Sequence, residues 1–135
     1  MIVKFISHKW PVFWFGALAV SLWGKYVLIR KDMYSNMGEL RKRLLMMHES
    51  VHITRKRTCR FWTLKYLLLP SFRFREELEA YGKQILYEFR DNMYITREEA
   101  LERYSIRLSS KAYMYSYSKE YAREELDKWM RLNNC

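Results

Sequence analysis

Five consecutive residues have the types and spacing for chemistry: His48-Glu49-Ser50-Val51-His52. Side chains four apart in a helix lie one turn apart on the same face, so both imidazoles can reach one ion. Zinc accepts two neutral histidine nitrogens readily. Glu49 stands about 100° around the helix from His48, beside such an ion rather than at it. There it can take a proton from an attacking water and later hand it to a leaving amine. The plainer alternative is an amphipathic helix whose two histidines are surface or satisfied core residues.

A catalytic zinc needs a third protein ligand. The candidates are Glu76, Glu77 and Glu79, some 25 to 30 residues downstream. Phe74, Leu78, Tyr81 and Ile85 recur at spacings of three and four, and in that helix Glu77 lies on the inner side with Glu76 and Glu79 on its flanks. An inward glutamate is costly unless it is paired or binds a metal. The plainer alternative is a carboxylate paired with Arg73 or with a basic residue of the histidine-bearing helix. Tyr66, Arg73 and Tyr81 are candidates for stabilising charge in a transition state.

The elements that must position these residues follow from local signals. Ser35 is placed to cap a helix carrying Met37, Leu40, Leu44, Met47 and Val51 on one face. An apolar segment over residues 61–69 ends at Pro70, and a further helix is expected from about Ser71 through Phe89. Thr96-Arg97-Glu98-Glu99 reads as a capping box opening another helix. Residues 109–117 read as a polar, Tyr-rich loop, and Ser118 as the cap of a last helix through Ala122, Leu126 and Trp129. Near the N-terminus, residues 12–23 (VFWFGALAVSLW) and Lys25-Tyr26-Val27-Leu28-Ile29-Arg30 suggest two short strands or a ribbon, with a turn at Gly24. The expected fold is α+β: one mostly helical minimal domain over residues 1–135, its small N-terminal sheet packed on the histidine-bearing helix. The strand at residues 25–30 is placed to pair with an extended substrate by strand addition.

With these segments in view, the chain resembles the small gluzincin-like HExxH metallopeptidases widespread in bacteria and phages. The matching text is GKYVLIRK at 24–31, LLMMHESVHITRKR at 44–57 and FRFREELEAY at 72–81, and the likeness spans roughly residues 14–90. It implies a zincin-like fold, one zinc per chain and peptide-bond hydrolysis. His48, His52 and Glu77, the last within Glu77-Leu78-Glu79-Ala80, become the metal ligands and Glu49 the general base. Larger relatives carry Asp where this chain has Tyr81. That Asp often orients a zinc-bound histidine, and Glu79 is the nearest substitute for it.

Composition bounds the alternatives. The 135 residues are half hydrophobic and 17% aromatic, which excludes a disordered chain. The net charge of +10 favours anionic partners. The basic residues are nevertheless spread along the chain, so nucleic acid is expected to bind only non-specifically. Cys59 and Cys135 form no Cys-x-x-Cys pair, which argues against a thiolate metal site and suits reduced thiols in the cytoplasm. The apolar stretch 12–23 is about a dozen residues, against roughly 20 for a spanning helix, leaving a signal or membrane anchor as the less favoured reading. The leading expectation is a zinc metallopeptidase acting on a protein or peptide. Behind it stand an inactive zinc-stapled binding or structural protein, and then a basic nucleic-acid-binding module.

Overall fold

β-branched and aromatic residues between Lys25 and Arg30 form the central strand, and long runs of three-and-four spacing form the helices. The structure is a computed structural model and describes residues 2–6, 19–22, 26–91, 95–110 and 117–134. Most of the apolar stretch 12–23, the expected turn at Gly24, Lys25, most of the loop at 109–117 and Cys135 fall outside these residues. The elements are β1 (Ile2–Ile6), β2 (Ala19–Leu22), β3 (Tyr26–Arg30), α1 (Lys31–Ser35), α2 (Glu39–Thr58), α3 (Trp62–Leu68), α4 (Pro70–Arg90), α5 (Arg97–Leu108) and α6 (Lys119–Leu132). The fold is therefore mostly helical with a small N-terminal sheet. The chain falls into two compact units, Met1–Thr63 and Leu64–Cys135.

In the first unit the sheet order is β1-β3-β2. β1 runs parallel to β3 with Ile2 opposite Tyr26, and β2 runs antiparallel with Leu22 opposite Tyr26. This corrects the role expected for Tyr26, Val27, Leu28, Ile29 and Arg30. Their strand is central and its backbone is paired on both sides, so it cannot accept a substrate strand. Val27 and Ile29 point to one side of β3 and are fully buried, meeting Ile53 of α2.

α2 starts later than expected. Ser35 closes α1, its hydroxyl donating to the carbonyls of Lys31 and Asp32, and Gly38 takes the N-cap position of α2 with extended backbone. Helix α2 then runs 20 residues without an interior Gly or Pro. Its last turn carries Arg55, Lys56 and Arg57, favourable charges for a helix C-terminus.

The second unit is a helical cluster in which α4, α5 and α6 share one core: Phe74, Leu78, Tyr81, Ile85, Ala100, Leu101, Tyr104, Leu108, Ala122, Leu126 and Met130. Pro70 occupies the first turn of α4, where a missing N–H costs nothing. The Thr96 capping box forms with both of its reciprocal bonds, and Ser118 accepts from the Tyr121 N–H. Gly82 lets the Trp129 indole lie directly on α4, since a Cβ at Gly82 would stand 2.5 Å from that ring. Among the described residues no helix is long and apolar enough to cross a membrane.

Candidate metal centre

The first unit supplies two imidazoles. On the inner face of α2 the buried positions are Leu44, His48, Glu49, His52 and Ile53, so three polar residues occupy places where a core helix would carry aliphatic ones. The His48 and His52 Nε2 atoms stand 3.2 Å apart, with ring planes at 79°. Two nitrogens on a tetrahedral zinc, each at about 2.05 Å from it, would be separated by about 3.3 Å. The pair thus has the spacing that one ion requires. Trp62 lies beside His52 with ring centroids 5.7 Å apart, giving that histidine an aromatic wall.

Glu49 is only 5% exposed. Two turns further along α2 lies Lys56, whose ammonium sits 4.5 Å above the Trp62 ring. Burial pulls the Lys56 pKa down to about 8, and the charge of Glu49 opposes that fall. Sequence reasoning missed Lys56. The available signal was its spacing, seven residues past Glu49 and so on nearly the same side of the helix.

The second unit carries the glutamates. Glu77 is 1% exposed on α4, as the spacing of Phe74, Leu78 and Tyr81 requires. The Tyr66 hydroxyl of α3 donates to Glu77 Oε1. Arg73 is buried too, but it gives Nε to the Tyr66 carbonyl and Nη2 to the Leu67 carbonyl, each at 2.8 Å. Those bonds fix the end of α3 against α4 and so hold Tyr66, which is a positioning task. Tyr81, one turn past Glu77, packs its ring on Tyr104 with centroids 5.3 Å apart.

Two expectations about the remaining glutamates change. Glu76, placed on a flank by the sequence, is as buried as Glu77. Glu79 is not a substitute for the histidine-orienting Asp. Two residues past Glu77, it points about 200° away around the helix. There it accepts the Trp129 indole N–H at 2.8 Å and pairs with Lys83.

His48 and His52 in the first unit, and Glu77 in the second, are each buried and each carry an atom able to bind a metal ion. Two imidazoles and one carboxylate form a donor set suited to zinc. No protein family, curated protein or solved structure matches this chain, so its assignment rests on its own residues.

Proposed function

We propose that the chain is a zinc-dependent metallopeptidase. The observation that carries this reading is the buried pair of Nε2 atoms 3.2 Å apart on consecutive turns of α2, with buried Glu49 next to them. In this reading Glu77 is the third ligand and Tyr66 orients its carboxylate. When bound, zinc supplies Lewis acidity, polarising the scissile carbonyl and acidifying water. The Glu49 carboxylate accepts a proton from the attacking water as the new C–O bond forms. It then delivers that proton to the departing nitrogen as the C–N bond breaks. Lys56 keeps positive charge near Glu49. With β3 filled on both sides, an extended substrate is assigned instead to β2, which lies against α2 and has one partner among the described strands. A zinc staple without activity has no use for a carboxylate buried one residue past its first ligand, and this favours the enzyme.

Elemental analysis of the purified chain should give one zinc per chain, lost in His48→Ala and His52→Ala. Glu49→Gln should keep the zinc and the fold while peptide cleavage falls at least about 100-fold. A wild-type protein that neither contains zinc nor takes it up ends the proposal. Undiminished cleavage by Glu49→Gln removes the general base and leaves the staple.

A further inference from the structure

Helix α3 has two faces, and the peptidase reading uses only one. Trp62 and Tyr66, four residues apart, turn inward: Trp62 is buried and Tyr66 reaches Glu77. Leu64, Leu67 and Leu68 share the opposite face at spacings of three and four, and are 55%, 61% and 66% exposed. Phe61 before the helix and Leu69 after it are also exposed. Single exposed leucines are ordinary, but five large apolar side chains within nine residues form a patch that marks an interaction surface.

The charge around the patch indicates its partner. From residue 50 to residue 75 there are seven Lys and Arg and no Asp or Glu. Of these, Arg55, Arg57, Arg60, Lys65 and Arg75 are exposed, and Arg60, Lys65 and Arg75 lie nearest the patch in sequence. The partner must therefore be apolar at its centre and negative at its rim. Leu67, Leu68 and Leu69 are consecutive, so they fan out over more than one stripe of the surface. A rigid protein groove covers one stripe, whereas a fluid acyl layer conforms to all three. Lys65, whose ammonium lies 5.9 Å from the Phe72 ring, has the long stem that lets a charge reach headgroups while its methylenes stay in apolar surroundings. Seven residues of helix are too short to cross a bilayer but sufficient to lie in its interface.

We propose that α3 is a membrane-surface docking element that sinks Leu64, Leu67 and Leu68 into an anionic lipid leaflet, with Arg60, Lys65 and Arg75 among the headgroups. The inference is independent of the peptidase reading.

The test is co-sedimentation of the full chain with vesicles of phosphatidylcholine, alone or mixed with phosphatidylglycerol. The chain should partition onto the mixed vesicles and not the neutral ones, and added salt should weaken binding severalfold. Leu67→Ser/Leu68→Ser should lower the partition coefficient at least about tenfold, with melting temperature and zinc content unchanged. In the wild type, adding mixed vesicles should slow amide hydrogen exchange at residues 61–69, a readout that needs no variant. Three results overturn the proposal: no binding to the mixed vesicles, binding with exchange at 61–69 unchanged, or a folded leucine variant that binds as well as wild type. A dimer that the leucine variant disrupts, in a chain that ignores vesicles, would assign the patch to a second copy of the chain and also overturn it.

Discussion

The two compact units divide charge very unequally. Met1–Thr63 holds twelve Lys and Arg against three Asp and Glu, whereas Leu64–Cys135 holds thirteen against twelve. Among the described residues the first unit has a buried apolar cluster of Val27, Ile29 and Ile53, and the second an eleven-residue one. In the second unit opposite charges meet across α5 and α6, as in Arg97–Asp127 at 2.7 Å, Lys119–Glu102 at 2.5 Å and Arg123–Glu98. Exposed pairs of this kind contribute little individually. The buried carboxylate of Glu88 matters more: it accepts from Tyr104 and Arg103, and burial, reinforced by that carboxylate, pushes the Tyr104 hydroxyl up so that it remains a donor. The comparison teaches that both units bury polar groups: the second unit buries Arg73, Glu76, Glu77, Gln84 and Glu88 on α4 beside its apolar core. The first gives three of the five buried positions on α2 to His48, Glu49 and His52, where each must be compensated by partners or by an ion.

The largest expected effect tests where stability resides. Leu126→Ala empties a fully buried position and should cost about 3 kcal/mol. Hydrogen exchange should speed up across α4, α5 and α6 while β3 and the middle of α2 keep their protection. Equal loss of protection in both units would break the comparison.

Next is the Tyr66–Glu77 bond, under the proposed reading of Glu77 as a zinc ligand. Tyr66→Phe removes one hydroxyl and leaves the ring. Zinc affinity should fall roughly 10- to 100-fold, the usual consequence of deleting a hydrogen bond to a ligand. Unchanged affinity would mean that the Tyr66–Glu77 bond only joins two helices.

The smallest effect concerns Lys56. Its folded pKa of about 8 lies below the ordinary lysine value of 10.5, so the unfolded chain binds more protons between those values. Stability should therefore rise with pH across that window, and the cost of the buried charge is full below pH 8. Lys56→Met should stabilise the protein by about 1 kcal/mol at pH 7, after allowance for solvent screening. The gain should disappear above about pH 10.5. A gain independent of pH would trace to packing rather than charge.

How much of this was legible in the sequence depends on the range of each interaction. The Thr96 capping box, the Ser118 cap and the helix start near Pro70 are set by residues within one turn, and all are found. The facing of His48 and His52 and the burial of Glu77 follow from helical spacing, which also works over short distances. The central place of β3 was not legible, because it depends on β1, whose five residues pair across more than 20 positions of chain. Glu79 was misread for a similar reason: its partner Trp129 lies 50 residues away. At Ser35 two local signals competed, and the serine served the turn before it instead of the helix after it.

The contact between Gly82 and Trp129 bears on which glutamate α4 presents. Each residue step turns a helix by about 100°, so a one-residue change in how α4 is clocked would replace Glu77 with Glu76 or Leu78. The indole fits flat where Gly82 has no side chain and is tethered by its N–H to Glu79, acting as an indexing pin that arrests α4 at one angle. Helix α6 holds none of the glutamates of α4, yet it sets the azimuth at which α4 is held within the second unit.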